Sequence, residues 1–277
     1  MKWLLFALAT FSLTSPAVAA ELRFEPASSW QIDNAPQMCR LSREYAAGDE
    51  HMTLRLEQYR PGASVQVVLI GEQVKRAESF SSFEVRLGST QPFHTSAFPL
   101  ILPDGRIARL LNFQLVKPSK SSAHTWPDEV ALKAINEMAF AAPVMGTLLF
   151  QTNTLPRAMI EMRKCGDSMV REWGFDPDQQ AALLRQPEPA SPHQKWVTFD
   201  DVKRLHLARD QVGRFDYRLD IDAAGLPTGC HVVRTFSDPV IAQKICAVLL
   251  KRGRFIPALD ATGKPIASFW FNRIAIL

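Results

Sequence analysis

The sequence predicts an α+β protein: an antiparallel N-terminal α+β domain followed by a smaller C-terminal unit of two strands, a helix and a strand. Three observations lead there. Short runs in the first part alternate apolar and polar residues with a period of two, and two longer runs repeat their apolar residues at helical spacing. A proline-rich stretch, Arg185–Gln194 (RQPEPASPHQ), resists helix and sheet and reads as a linker. The residues after it read as a hairpin, a helix and a terminal strand, each bounded by turn residues. The expected organisation is a signal peptide at 1–20, an N-terminal domain at 21–185, a Pro-rich linker at 186–197 and a C-terminal domain at 198–277.

The elements follow in order. MKWLLFALATFSLTSPAVAA has a basic Lys2, an apolar run from Trp3 to Leu13 and small residues at Ala17–Ala20, the pattern of a cleavable secretory signal. Ser12, Thr14, Ser15 and Pro16 interrupt that run before the roughly 20 apolar residues a spanning helix needs. His51–Tyr59, Ser64–Gly71, Ser82–Gly88, Arg106–Val116 and Gly146–Asn153 read as strands. Pro127–Ala142 reads as a helix, with Pro127 in its first turn and Val130, Ala134, Met138 and Ala141 on one stripe. Leu155–Pro177 reads as a second helix, broken near Gly166, and Arg204–Gln211 as a short one. Arg214–Asp222 alternates Phe215, Tyr217, Leu219 and Ile221 against charged residues, the signature of a half-buried strand. Gly225 supplies a turn, and Cys230–Phe236 returns. Asp238 and Pro239 open a helix that stops at Gly253 and buries Ile241, Ile245, Val248 and Leu249. Arg254–Leu259 is a short extended run. Asp260–Gly263 repeats the Asp222–Gly225 turn pattern, and PIASFWFNRIAIL forms the last strand.

Removing the first 20 of 277 residues leaves 257, enough for two domains, and takes the net charge from +4 to +3 with Lys2. That balance, with no basic run interleaved with aromatics, argues against a nucleic-acid partner. No later segment is long and apolar enough to span a bilayer, so no anchor is expected after cleavage. An even set of cysteines (Cys39, Cys165, Cys230, Cys246) in an exported chain reads as disulfides, with three pairings open. The absence of C-x-x-C and H-x-x-x-H spacing argues against zinc.

No catalytic signature is found. G-x-S-x-G, H-E-x-x-H and a Gly-rich strand-to-helix loop are all missing. His51, His94, His124, His193, His206 and His231 are scattered, and Ser121–His124 reads as loop. Asp200–Asp201 reads as a helix cap, and Asp220 and Asp222 as residues preceding a turn. The expectation is a non-enzymatic protein without cofactor or metal.

The tail's punctuation carries a resemblance. Asp222–Gly225, then Val232–Val233, Ser237, the Ile241–Lys251 helix, Arg254-Phe255-Ile256-Pro257-Ala258 and Gly263 follow one another in the order seen in the TonB family. Roughly Thr198–Leu277 is similar to that family's C-terminal domain. Some exported TonB-like proteins carry cysteines where Cys230 and Cys246 stand, which implies that pair. Trp30-Gln31-Ile32, Cys39–Arg43 and Cys165 to Trp173-Gly174 resemble an uncharacterised domain that precedes TonB-like domains in some alphaproteobacterial proteins, and this favours a Cys39–Cys165 pair. The chain departs from the family in its cleavable signal, its short linker and Phe199-Asp200-Asp201 where a Tyr-Pro pair often stands. A ten-residue linker reaches only about 30 Å when extended.

The resemblance implies a TonB-like fold and a peptide-binding last strand. Backbone groups on an unpaired strand edge accept an added peptide strand. Phe269, Trp270, Phe271, Asn272 and Arg273 are the expected partner-binding residues, with Phe269, Phe271 and Arg273 on one face and Trp270 and Asn272 on the other. The expected role is a periplasmic interaction module of the Gram-negative envelope that binds a protein or peptide, an outer-membrane receptor included. The alternatives are a structural envelope protein whose tail packs on the N-terminal domain, an energy transducer or accessory of outer-membrane transport, and a hydrolase with an unfamiliar site in the first half.

Overall fold

The structure, a computed structural model, describes residues 21–35, 37–77, 81–116, 126–204, 213–235 and 239–276. The expected signal peptide, the Ser121–His124 loop and the Ser237–Asp238 cap lie outside them, as does all but Arg204 of the short helix expected at Arg204–Gln211.

The expected α+β class is overturned. The described chain is mostly strand, with 24% helix, and its first part closes into a nine-stranded mixed β-barrel. The strands there are β1 (Glu21–Pro26), β2 (Gln31–Ala35), β3 (Met38–Ala47), β4 (Glu50–Gln58), β5 (Ser64–Gly71), β6 (Ser81–Leu87), β7 (Phe93–Ile101), β8 (Ile107–Gln114), β9 (Glu137–Ala142) and β10 (Gly146–Gln151). Around the ring the order is β1, β10, β9, β6, β7, β8, β5, β4, β3 and back to β1, with β2 appended to β3 outside it. β1 makes the closure. It runs parallel to β10 through Leu22↔Leu148 and Phe24↔Phe150, then antiparallel to β3 through Glu25↔Ala46 and Pro26↔Tyr45. Alternation shows that a run is a strand, but it does not show which strands from opposite ends of a domain meet, so closure was not readable from the period.

Inward residues of these strands form one core, including Phe24, Leu41, Tyr45, Leu54, Leu56, Val65, Val67, Phe140 and Phe150. Phe24 stacks on Phe150 at 5.2 Å between ring centroids and Tyr45 meets Phe150 edge-on at 5.1 Å. Each such side chain contributes about 1.5–3 kcal/mol by leaving water.

The helix expected over Pro127–Ala142 is also corrected. Only α1 (Glu129–Lys133) is helical, capped by Asp128, whose side chain accepts from Ala131 N–H. Glu137–Ala142 is β9, held by β10 and β6. Its residues satisfy a two-residue period as well as a helical one, and neighbouring strands decide the matter. The break expected near Gly166 is absent, because α2 (Leu155–Glu172) runs through it. Gly166 lets the helix approach Trp126, since a Cβ there would lie 2.7 Å from the indole ring. α2 buries Met159, Met162, Cys165 and Met169 in the barrel core, and α3 (Pro177–Ala181) follows.

The proline-rich stretch is paired rather than freely extended. Leu184 and Arg185 exchange backbone bonds with Leu259, and β11 (Glu188–Pro189) pairs with β14 (Phe255–Ile256). After α4 (Phe199–Lys203) come β12 (Gly213–Ile221), β13 (Pro227–Thr235), α5 (Pro239–Arg252), then β14, β15 (Ala258–Leu259), β16 (Pro265–Ile266) and β17 (Ser268–Ile276). The tail is therefore more elaborate than the expected strand–strand–helix–strand unit, because two further two-stranded ladders, β11–β14 and β15–β16, lie beside the β13–β12–β17 sheet. Both Asp–Gly turns form alike. Gly225 and Gly263 have φ of 83° and 84°, and Asp222 and Asp260 each accept two backbone N–H bonds. Ile241, Ala242, Ile245 and Leu249 of α5 pack with Phe215, Tyr217, Leu219, Ile221 and Phe255.

Disulfides join Cys39 of β3 to Cys165 of α2, and Cys230 of β13 to Cys246 of α5. The sequence separations are 126 and 16. Asp201 completes a capping box with Thr198 and also receives Arg252 from α5.

Two outcomes follow for stability. In the loop-entropy picture Cys39→Ala/Cys165→Ala costs about 5 kcal/mol and Cys230→Ala/Cys246→Ala about 3. Urea denaturation checks the ranking, and equal losses would contradict it. The Arg252 hydrogen bond, followed by those from Thr198, holds Asp201 far below the usual carboxylate pKa. A carboxyl lowered by folding stabilises above its unfolded pKa, about 3.9, and loses that contribution as pH falls below it. Asp201→Asn is therefore expected to flatten the acid limb of a thermal-stability profile measured from pH 6 down to pH 2, with pH 7 stability reduced.

Candidate functional site

The candidate site is built around β17, the outer strand of the tail sheet, which pairs on one side with β12 from Ser268↔Ile221 to Ile276↔Gly213. The alternation expected for its side chains holds. Trp270 enters the tail core, with ring centroids 5.3 Å from Phe255, 6.0 Å from Trp196 and 6.1 Å from Tyr217. Phe269 faces the other way and is fully buried against Trp173 at 5.2 Å and Phe175 at 5.3 Å. Phe271 meets Trp173 at 5.7 Å and Tyr59 of the barrel at 6.0 Å. Both faces of the strand are thus covered.

The charged face of β12, which looked like a solvent face in sequence, is buried with it. Asp216 and Arg218 are 1% and 3% exposed. Asp216 accepts from Arg273 of β17 through both carboxylate oxygens. Arg218 donates to Asp220 at 2.8 Å while its guanidinium lies 4.2 Å from the Trp173 ring, and His231 Nε2 meets the same Asp220 at 2.7 Å. Gly229 makes room for this meeting, because a Cβ there would lie 2.9 Å from both Asp220 and His231. Burial lowers the Arg218 pKa, against the pull of Asp220. Burial opposes the charge on Arg273 too, but the Asp216 carboxylate and Tyr59 hold its pKa above the ordinary value. Tyr217 is pushed well up by burial, with its bond to Asn272 acting in the other direction.

Beyond this packed region the strand opens onto a cleft of about 290 Å³. One wall is Phe271, Asn272 and Arg273 with Asp216, and the opposite wall is the barrel rim at Glu57–Arg60, Ser64–Gln66 and Asn112–Gln114. Successive strand residues point to opposite faces, so three consecutive lining residues bring the strand's edge to the cleft, while Asp216 of β12 shows that the face carrying Phe271 and Arg273 borders it too. Among the described residues no strand pairs with that edge. The partner-binding residues expected from sequence therefore separate: Phe269 and Trp270 are packing residues, whereas Phe271, Asn272 and Arg273 line the cleft. The barrel wall was missed. Gln58 and Tyr59 sit at a strand end and carry no signal that could link them to a strand two hundred residues later.

No family model matches the chain, and neither a curated protein nor a solved structure matches it.

Trp173 joins the two parts by touching Arg218, Phe269 and Phe271. Trp173→Ala is expected to destabilise by about 3 kcal/mol and to speed hydrogen exchange in β17 before the barrel strands. Uniform acceleration across the chain would show that the interface has no separate opening.

Proposed function

We propose that the chain is an exported, non-enzymatic interaction protein of the periplasm that binds an extended peptide or partner segment by strand addition along the outer edge of β17. The observation that carries this reading is the unpaired nine-residue edge strand bordering a cleft. A strand added there gains a ladder of backbone bonds, and the cleft walls supply side-chain contacts. Two disulfides support an oxidising compartment, and the secretory pattern of the first 20 residues agrees with it. The resemblance of the tail to TonB C-terminal domains points to the same strand.

The structural reading has its own support. Phe269 is fully buried against Trp173 and Phe175, so part of β17 is committed to holding the tail on the barrel. The two readings divide the strand between them: residues near its start anchor, and Phe271–Arg273 remain for a partner.

The test uses the full disulfide-bonded chain to select from a displayed pool of random octapeptides with free C-termini. Hydrogen exchange is then measured with each selected peptide. Strand addition predicts slowed exchange at 270–274 and at least about a tenfold loss of affinity on N-methylating alternate peptide amides, the cost of losing one or two hydrogen bonds. Selected peptides that tolerate N-methylation, or that leave β17 exchange unchanged, would remove this reading.

A further inference from the structure

We propose that the segment added at β17 carries a carboxylate and that Arg60 of the barrel pairs with it, an inference that rests on the strand-addition reading. The charge inventory of the cleft leads there. Its two carboxylates are already matched. Glu57 lies 3.3 Å from Arg40 and 3.8 Å from Arg55, and Asp216 is held by Arg273. Arg60 is different. Its half-buried guanidinium donates through Nη2 to the Ser64 hydroxyl at 2.8 Å, and it has no carboxylate partner among the described residues. One cation is left over in the cleft. A neutral occupant would strip water from that cation and return only neutral carbonyl acceptors, whereas a carboxylate returns a charge-assisted pair, bidentate if it meets the guanidinium fork.

A second observation also points to an occupant. Gln58, 2% exposed, holds its side-chain nitrogen against two carbonyls, Gly62 O at 2.6 Å and Ser64 O at 3.2 Å. Those acceptors fix the amide's orientation, so the other atom is Oε1, and it has no hydrogen-bond partner. A buried polar group without a partner costs about 1–3 kcal/mol. An extended peptide supplies the N–H that the Gln58 amide oxygen lacks. Tyr59, Phe113 and Phe271 give the same cleft aromatic surface, so the carboxylate is expected beside an apolar residue. A C-terminal carboxylate and an Asp or Glu side chain share this chemistry.

The experiment titrates fluorescein-labelled octapeptides from the selection above against the wild-type chain, Arg60→Gln and Arg60→Lys, with anisotropy as readout. Each peptide is made with a free and an amidated C-terminus, and with Glu and Asp replaced by Gln and Asn. Neutralising the responsible carboxylate and replacing Arg60 by Gln are each expected to weaken binding by at least about tenfold, the lower end for a hydrogen bond to a charged group, with no further loss when both are made together. Arg60→Lys keeps the charge and is expected to retain most of the affinity, which a purely structural role for Arg60 would not produce. The peptide arm that responds distinguishes the chain terminus from a side chain. Peptides that slow exchange in β17 yet bind Arg60→Gln within about twofold of wild type, or bind as well without any carboxylate, would overturn the Arg60 pairing and leave strand addition standing. Absence of β17 protection is instead the failure of the earlier reading.

Discussion

A β-sheet that is buried on both faces has to match its charges within the protein, and the tail sheet is such a sheet. Phe215, Tyr217, Leu219 and Ile221 fill one side, and the other side presses Asp216, Arg218 and Asp220 towards Trp173 and Phe269. Water hardly reaches Asp216 and Arg218 on this second face, and leaving either unpaired would cost several kcal/mol. The pairing Asp216–Arg273 ties β12 to β17 in one register, and Arg218–Asp220–His231 ties β12 to β13. A slip of one residue would send every charge into the apolar core and every aromatic to the charged side. The position of the β17 edge, and so of the cleft, follows from this matching.

The barrel contributes a different constraint. Closure leaves its ring strands without free edges, and a closed sheet offers neighbours only its rims. Gln58–Arg60, Ser64–Gln66 and Asn112–Gln114 belong to one such rim, which explains why the barrel side of the cleft is made of strand ends and side chains and the tail side of a strand edge. Among the described strands of the first part, β2 alone lies outside the ring. It has five residues, its exposed Asp33 pairs with Arg40, and its side chains from Gln31 to Asn34 face solvent. Short, polar and exposed edges discourage pairing, whereas β17 is nine residues long and bordered by aromatic groups.

What could be read in the sequence was local. The period of two located β4, β5, β6, β8, β10, β12, β13 and β17 but not β1, β2, β3, β7 or β9, the paired Asp–Gly patterns located both turns, and Asp200–Asp201 was read as a cap where Asp201 in fact closes a capping box on Thr198. The failures were non-local or ambiguous. Glu137–Ala142 satisfies two periods, and only its place between β10 and β6 selects the strand. Gly166 looked like a helix breaker and is instead where Trp126 packs closely. Barrel closure depends on β1 meeting β10, a contact with no sequence period. The charged face of β12 alternated as a solvated face does, yet it faces protein. Of the site, Phe271, Asn272 and Arg273 were visible as part of a terminal strand; Gln58, Tyr59 and Arg60 were not, because a strand end becomes one wall of a cleft only after distant parts of the chain meet.

The same geometry sets how anchoring and binding share one strand. Phe269 and Trp270 are locked by aromatic contacts on opposite faces, so the start of β17 cannot peel away without exposing both cores. Further along, Phe271 still touches Trp173 and Tyr59, and Arg273 still holds Asp216, but the edge beside them is open. An edge fixed at one end and supported on both faces is already extended before anything binds. The entropic cost of ordering it, about 1–2 kcal/mol per residue, falls on folding of the chain and not on association. That division makes a rigid edge strand a better receptor for an extended segment than a flexible tail of the same sequence.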